Sequence, residues 1–555
     1  MAQTASPSGA GKTNTNPLLR ALLGLLLLLP ACGLCSINLI PLTLETFTSS
    51  LQKISFSGDG EFVGMENFER LVGYRSFSSV LEFSFSMIVV HFLAVAVIPL
   101  LLAFLVNTLG KKLSLGVRLF FTLPLTFFGP ALMMYSPFYL RSLWETDSPE
   151  SPYLLIVGLM GLAVACAVGL IVYSAILRGR KDSEAGGKSA LPAFIITWLV
   201  MQLATTAYVF QSYNSLSGFL VTVPASFLIS RASLLELGEI FAFSTLILLF
   251  AALLGIAATL LIVLGRVQLK LETQDETTAP PARGSITTLG WVALVIGGIA
   301  VFLAAVLPWF LAIVKSITSL EEGLSGLSIL NIWINSLLPP LLIILFLQLP
   351  VAYFGALGIG AVRPFGRHSR WLLLLFSPWL FVTSLPVAFA AFINLRNAEL
   401  LDSILILMPP LLLNVPMLFI LTLFFMGQEP KWREARAEGA TSMNALFKKL
   451  IIPSLPLAGF IAALTLLAAA RELVMTNFLG SNSEQFTAAH AISMFTRIGY
   501  GGSTALVIIL FGLPISLIFF AIFAALQAKY LNRLVLTREQ AATEQKKEEL
   551  EPITS

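Results

Sequence analysis

The sequence predicts an all-α polytopic membrane protein, on two observations. Hydrophobic residues make up 57% of the 555 positions and charged residues only 12%, a balance that excludes a soluble globular domain. The apolar residues also form runs of about 20, the length that crosses a bilayer as a helix. About twelve runs qualify, at residues 18–41, 81–106, 118–140, 152–177, 193–213, 239–265, 288–314, 334–362, 371–394, 403–427, 456–478 and 504–529.

Lys and Arg are concentrated in alternate loops between these runs. If the N-terminus lies in the cytoplasm, most of the 34 Lys and Arg residues fall in cytoplasmic loops, as the insertion of membrane helices requires. The net charge of +4 is explained by this asymmetry and indicates no nucleic-acid partner.

No pattern of cysteine, histidine or glycine indicates chemistry in this chain. Cys32, Cys35 and Cys166 lie in apolar runs and are expected to pack there, while the three histidines are too scattered for a metal site. The segment SPSGAGKT at 6–13 resembles a phosphate-binding loop, but Ser6 replaces its first glycine and no strand precedes it. We expect no metal, no cofactor in this chain and no enzyme activity of its own.

A polar segment, RVQLKLETQDETTAPPARGSITT, separates six apolar runs from six more. The organisation predicted from it is a disordered cytoplasmic tail at 1–17, a first six-helix lobe at 18–265, a cytoplasmic linker at 266–287, a second six-helix lobe at 288–530 and a charged cytoplasmic tail at 531–555. Because each lobe has an even number of spans, both have the same orientation. Such pseudo-repeats can be related by an axis along the membrane normal, with a pathway between them.

The segment EARAEGATSMNALFKKLIIPSLP, at 434–456, is polar and helix-favouring between apolar runs. Its mixture of apolar and charged residues suits a short amphipathic helix, or a helix pair, at the membrane surface. A glycine permits a sharp turn and two prolines mark the return to the membrane.

This segment resembles the ATPase-docking loop of ABC importer permeases. The residues that carry the resemblance are Glu434, Ala435, Glu438, Gly439, Ala440, Phe447 and Pro453, within a loop at 428–456. The family's glycine position is taken by Ala440, so that Gly439 is one residue early, and Arg436 stands where a second alanine is usual. By resemblance, the turn near Gly439 would sit in a groove of the nucleotide-binding subunit.

Other segments are similar to the two sister membrane subunits of carbohydrate-type (maltose-type) importers. They include VGMENF before the second run, NTLG before the third and NIWINS at 331–336. The resemblance implies a fusion of the two subunits, with the type I fold of ABC importer transmembrane domains, in a bacterial or archaeal cell (inner) membrane. The implied partners are a cytoplasmic ABC ATPase dimer, which holds ATP and Mg, an extracytoplasmic solute-binding protein, membrane lipid and a small-molecule solute, expected to be a sugar.

The first lobe contains only a shortened counterpart of the loop, RGRKDSEAGGKSALP at 178–192. Glu184, Gly186 and Gly187 survive, but Glu184 is 8 positions from Pro192, whereas Glu434 is 19 from Pro453. We therefore expect unequal coupling, with most of the stroke carried by the second lobe.

Polar residues inside apolar runs identify a candidate solute pathway. Gln202, Thr206, Val209 and Tyr213 fall on one helical face with Thr205 beside it; they could bind a sugar, or they could hydrogen-bond between helices. The adjacent Arg471 and Glu472 interrupt the eleventh run, which indicates a wet cavity or mutual compensation. The arginine could favour an acidic sugar or neutralise the glutamate.

Three other functions stay open. An ABC permease for iron, thiamine or polyamine has the same organisation, but usually with two complete docking loops. An ion-coupled secondary transporter requires acidic residues in the membrane, and Glu472 is the chief candidate. A membrane enzyme such as a lipid-linked glycosyltransferase requires an acidic cluster on a large outer loop, and the outer loops are short.

Overall fold

The computed structural model describes most of the chain as helix. The described residues are 17–55, 58–128, 150–179, 190–211, 224, 227–228, 237–272, 284–318, 323–324, 326–401, 403–438, 441–473, 483–497 and 500–539. Within these ranges, nine helices are long and apolar enough to cross a membrane. The protein is therefore an all-α polytopic membrane protein in its architecture.

The first half of the molecule, residues 17–272, consists of long helices, a hairpin and a final strand. In order, its elements are α1 (Pro17–Leu34), a π-helical turn (Cys35–Leu39), α2 (Ile40–Ser50), β1 (Gln52–Ser55), β2 (Gly58–Phe62), α3 (Glu66–Gly73), α4 (Arg75–Thr108), α5 (Lys111–Thr126), α6 (Glu150–Gly179), α7 (Ala190–Gln211), α8 (Leu237–Gly265) and β3 (Val267–Leu271).

The second half, residues 284–539, has shorter helices joined by turns. Its elements are α9 (Gly284–Val301), a π-helical turn (Phe302–Val306), α10 (Leu307–Thr318), α11 (Ile329–Ile343), a π-helical turn (Ile344–Gln348), α12 (Leu349–Leu357), a π-helical turn (Gly358–Val362), 3₁₀ turns (Gly366–Leu375, Ser377–Trp379 and Leu385–Val387), α13 (Ala388–Asn397), a 3₁₀ turn (Ile404–Leu407), α14 (Val415–Ala437), α15 (Ser442–Leu446), a π-helical turn (Phe447–Ile451), α16 (Ile452–Ala470), a 3₁₀ turn (Ser483–Gln485), α17 (Ala488–Arg497), α18 (Gly501–Val507), a π-helical turn (Ile508–Gly512), α19 (Leu513–Lys529), a 3₁₀ turn (Leu531–Arg533) and β4 (Leu534–Arg538).

Two predicted spans, 371–394 and 403–427, are not continuous helices. The chain forms short 3₁₀ turns and irregular backbone from Gly366 to Val387 and from Ala398 to Asn414. Prolines 378, 386, 409 and 410 lie in these stretches, and proline removes a helical hydrogen bond and clashes with the preceding turn. The prediction of regular spans here was wrong because it relied on apolarity and gave too little weight to the prolines.

The two strands that follow the last helix of each half pair with each other. β3 and β4 are antiparallel, and the central pair is Leu269 with Leu536. Neither strand was predicted: the linker at 266–287 begins with β3, and the charged tail at 531–555 begins with β4. We call the end of the helix bundle that carries these strands the sheet end; the β1–β2 hairpin lies at the opposite end.

Each half packs against the other through its first helix. α1 packs on α12 and on the π-helical turn Gly358–Val362 of the second half, and α9 packs on α4 and α6 of the first half. In the same way α14 packs on β3 and α6 on β4, while α19 packs on α5 and α8 on the turns around Ser377–Trp379. The largest buried apolar cluster accordingly contains residues of both halves, such as Leu28, Phe128 and Phe425.

Candidate functional site

A cavity of about 390 Å³ lies between the two halves. Tyr208 and Gln211 of α7 line it from the first half, and residues of α11, α16 and the two irregular stretches line it from the second. The volume is within the range of small-molecule sites. Asn414 precedes α14, which reaches the sheet end at Gly427, so the cavity is about 20 Å from the sheet along the helix axis. That depth is inside the bilayer core.

The irregular backbone of the cavity wall is hydrogen-bonded by amide side chains from the helices around it. Asn38 donates to the carbonyl of Pro410 (3.0 Å) and accepts from the amide of Leu412 (2.8 Å). Gln348 donates to the carbonyl of Leu411 (2.8 Å). Non-helical backbone at membrane depth is stable only where protein or water satisfies it, so these two residues hold the wall in place.

Asn38 and Gln348 both lie in π-helical turns, Cys35–Leu39 and Ile344–Gln348. A π-helical turn widens the helix by one residue and is frequent at functional sites. Sequence analysis missed both amides, and the signal that could have found them is a single carboxamide in an otherwise apolar run.

The Asn-Ser pair of the second half joins α11 to the segment before α17. Asn335 donates to the carbonyls of Glu484 (2.7 Å) and Phe486 (3.3 Å), and Ser336 accepts from the amide of Ala488 (2.8 Å). Both residues also line the cavity. The pair therefore fixes the chain that covers this part of the wall.

The cavity wall includes Arg471 and Glu472 but not the predicted face of α7. Gln202 is 4% exposed, and neither atom of its carboxamide has a hydrogen-bond partner among the described residues. Thr205 donates to the carbonyl of Met201 in its own helix (2.8 Å) and Thr206 is half-buried; Tyr213 lies outside the described residues. The cavity-facing residues of this helix, Tyr208 and Gln211, are on a different face, which the polar pattern did not reveal.

Arg471 does not interrupt a helix, as the sequence suggested, but ends α16. Its guanidinium donates to the carbonyl of Leu125 (3.1 Å) and to the carbonyl of Phe127, both at the end of α5. The carbonyls at a helix C-terminus carry partial negative charge, so they hold this half-buried cation. The arginine is therefore engaged by the backbone of the other half.

At the sheet end, α14 continues well beyond the strand that it crosses. Gly427 lies against β3, and the helix continues to Ala437, which is about 15 Å further along its axis. From Thr441 the chain continues through α15 into α16, and both pack on α14. We call residues 428–456 the helical tip; its described residues form two helical segments packed side by side, in agreement with the helix pair that the sequence allows.

The helical tip presents a mixed surface. Glu434 and Glu438 are exposed, as are Met443 and Phe447 at 63% and 47%. Ala435 is buried, Pro453 stands at the start of α16, and Gly439 and Ala440 lie outside the described residues.

A network of ion pairs fixes the base of the helical tip. Glu429 of α14 is 3% exposed and pairs with Arg433 and with Arg363 (3.8 Å). Arg363 also pairs with Glu539 (3.3 Å), which in turn pairs with Arg370. Burial opposes ionisation of Glu539, but the guanidinium groups of Arg370 and Arg363 outweigh it and hold the pKa of its carboxyl below the usual range.

The first-half loop offers no comparable structure to describe. α6 ends at Gly179, and Glu184, Gly186 and Gly187 lie outside the described residues. Arg178 donates to the carbonyls of Leu534 (2.8 Å) and Leu531 (3.2 Å), which fixes this end of α6 to the start of β4.

Comparison with known protein families finds no family model that matches the chain, and no curated protein matches it. Among the described residues, no group of three or more His, Cys, Asp or Glu side chains is placed to hold a metal ion.

Proposed function

We propose that this protein is the membrane permease of an ATP-driven ABC importer, with two lobes fused in one chain. The observation that carries the proposal is a cavity at membrane depth, with amide and hydroxyl groups in a largely apolar wall, between two halves that exchange similar contacts. In this account the solute crosses through the cavity by alternating access, after delivery by an extracytoplasmic binding protein.

The pairing of β3 with β4 supports two pseudo-repeats of the same orientation. Each strand directly follows the last long helix of its half, and the first residue of each pairs with the last residue of the other. A two-fold axis through the central pair, Leu269 and Leu536, generates this arrangement. Such an axis would run along the membrane normal.

The contacts between the halves support the same axis. Let α1 correspond to α9–α10, α4 to α11–α12, α5 to the turns at 366–379, α6 to α14, α7 to α16 and α8 to α18–α19. The contacts described above between the halves then have counterparts, except the packing of α9 on α6. This assignment gives the six elements per lobe that the sequence predicts, with the third of the second lobe broken.

The lining of the cavity favours a neutral, hydroxylated solute such as a sugar. Asn335, Asn414 and Thr465 supply amide and hydroxyl groups, and Tyr208 supplies an aromatic face. Arg471 lines the wall, but its guanidinium is held by two carbonyls. We therefore favour the structural role of Arg471 over recognition of an anionic sugar.

The helical tip is the proposed contact with the partner ATPase. It extends beyond the sheet end, which the charge asymmetry assigns to the cytoplasm. Its base is braced within the second half through Glu429, Arg363 and Glu539, and Lys431 joins it to the first half by donating to the carbonyl of Leu271 (2.6 Å). A braced pair of helices can transmit a displacement from a partner to the cavity wall, because α14 and α16 both continue to that wall.

One observation favours a second candidate, an ion-coupled secondary transporter. In such transporters, unwound backbone at the midplane commonly binds the solute and coupling ion, and here two irregular stretches meet Glu472 at the cavity. The energy source separates the two candidates.

The test is solute uptake by the tagged full-length protein, purified with its associated subunits and reconstituted in proteoliposomes. The importer predicts uptake of a neutral sugar that requires ATP on the side of the helical tip and an added binding protein, and that persists with a protonophore. Uptake that is driven by an ion gradient without ATP would overturn the importer and support the secondary transporter.

A further inference from the structure

Two side chains on the cavity wall, one from each half, reach across to the backbone of the other half. Gln211 is the last residue of α7, and Arg471 directly follows α16. Both belong to the cavity lining. Under the pseudo-symmetry proposed above, α7 and α16 are corresponding helices, so the two residues occupy matching positions.

Gln211 binds the second half through both ends of its carboxamide. Its amide donates to the carbonyl of Phe381 (2.8 Å) and to that of Ala207 in its own helix (3.0 Å), and its oxygen accepts from the amide (2.9 Å) and the hydroxyl (3.1 Å) of Thr383. Residues 381–383 follow the turns that end at Trp379. The side chain is 4% exposed.

Arg471 makes the corresponding contact from the second half to the first. It donates to the carbonyls of Leu125 (3.1 Å) and Phe127 at the end of α5, the element that corresponds to the turns before Phe381. Its Nε atom is buried without a hydrogen-bond partner among the described residues. The guanidinium therefore depends on these carbonyls for its stability at this depth.

We propose that Gln211 and Arg471 form two gate latches, which hold the halves together on the side of the cavity away from the sheet end and which release when solute enters. The inference rests on the proposed function in so far as solute passes through the cavity. Both latches line the part of the cavity that is far from the sheet end, because α7 and α16 begin near that end and the latches are at the far ends of these helices. Their release exposes the cavity to the outer side.

The two latches are unequal. Removing Arg471 takes away charge-assisted hydrogen bonds, which are roughly twice as strong as neutral ones, whereas removing Gln211 takes away neutral bonds. We therefore expect Arg471 to be the stronger latch.

The latches are tested by the access of a thiol reagent to the cavity. Ala468 is small, exposed and part of the lining, so Ala468→Cys serves as the reporter after Cys32, Cys35 and Cys166 are replaced by alanine. A membrane-impermeant maleimide is added to the outside of intact cells, and the rate of labelling is measured. Arg471→Met should raise this rate about tenfold, Gln211→Leu should raise it less, and Arg471→Lys, which keeps a donor, should restore most of the protection.

The matched control is Arg118→Met. Arg118 is a buried arginine that bonds to Asn107 (3.0 Å) and Ser174 (3.1 Å) within its own half. Its loss should leave the labelling rate unchanged. An unchanged rate in folded Arg471→Met, or an equal rise in Arg118→Met, would overturn the proposal; if Arg471→Met does not fold, Arg471→Lys and Gln211→Leu decide by the same readout.

Labelling needs no ATPase, so the latches and the importer can fail separately. A rise in labelling together with ATP-independent uptake would support the latches and refute only the energy source. No response of labelling together with ATP-driven uptake would refute the latches alone.

Discussion

In the first half only residues 180–189 separate α6, which is described to Gly179, from α7, whereas in the second half α14 passes the sheet at Gly427 and continues to Ala437. Both glycines lie against the middle residue of the opposing strand, Leu536 and Leu269 respectively. The two halves are therefore packed alike at the sheet and differ in the length of the segment that follows it. This segment is short in the first half, at residues 180–189, and long in the second half, where it runs from Gly427 to the start of α16 at Ile452.

The means of fixation differ as well. The first half fixes α6 through Arg178 and main-chain carbonyls, and the second fixes α14 through a network of charged side chains. Buried ion pairs add little net stability but specify geometry where a charge would otherwise be unpaired. The long helix α14 needs a well-defined position where it leaves the sheet end, and the ion-pair network lies at that point.

The largest effect is expected from a methyl group at the two glycines. A Cβ atom at position 427 would lie 2.2 Å from the carbonyl oxygen of Leu269, and one at position 179 would lie 2.7 Å from that of Leu536. Both substitutions overpack a contact with backbone, so Gly427→Ala should lower the free energy of unfolding by about 3 kcal/mol and Gly179→Ala by about 1–2 kcal/mol. Thermal unfolding in detergent measures both. The control is Gly459→Ala, in a helix with open space around the position; if all three unfold alike, the close approach to the strands is not important.

A smaller effect is expected from the acidic member of the network. The lowered pKa of Glu539 means that its contribution to stability is complete at neutral pH and is lost as the pH falls below the pKa of a free carboxyl, about 4.3. Glu539→Gln should therefore lower the free energy of unfolding at pH 7. The difference in this free energy between the variant and wild type should become smaller as the pH falls to about 3.5. Arg178→Met in the first half should show a difference from wild type that is flat over this range, because main-chain carbonyls do not titrate. If the stability difference from wild type changes with pH in the same way for both variants, the distinction between charged and main-chain partners is wrong.

The smallest effect is expected at Gln202. Its carboxamide is buried without a hydrogen-bond partner among the described residues, so Gln202→Leu should leave stability unchanged or raise it by about 1 kcal/mol, with uptake retained. Gln211→Leu, in the same helix, should alter uptake because it opens a latch. Loss of uptake in Gln202→Leu would instead support the solute-binding face of α7 that the sequence predicts.

Much of the membrane architecture could be predicted from apolar runs alone. Runs such as 81–106 and 239–265 are found within single helices, Arg75–Thr108 and Leu237–Gly265, because length and apolarity suffice to define a span. The runs at 371–394 and 403–427 failed because hydropathy does not distinguish a span from apolar backbone that is folded around a cavity.

The site was predictable only where the sequence carried an unusual charge. Arg471 and Glu472 were found because ionisable residues are rare in apolar runs, and they do line the cavity. Gln211, Asn38 and Gln348 are single carboxamides in apolar runs, and their bonds to Phe381, Pro410 and Leu411 are long-range contacts that a local pattern does not encode. The β3–β4 pair was missed for the same reason, since β3 lies in the middle of the chain and β4 near its end.

The most direct test of unequal coupling compares the two loops in one assay. Glu434→Lys and Gly439→Asp in the helical tip, and Glu184→Lys and Gly187→Asp in the first loop, are each purified through a tag on the full-length protein, and the bound ATPase subunit and its ATP hydrolysis are measured. The account predicts that the two variants of the helical tip lose most of the bound ATPase and most of the ATP hydrolysis, while their insertion into the membrane is unchanged. The two variants of the first loop should keep most of the bound ATPase and most of the ATP hydrolysis. Equal loss in the two pairs, or full retention in both, would contradict it.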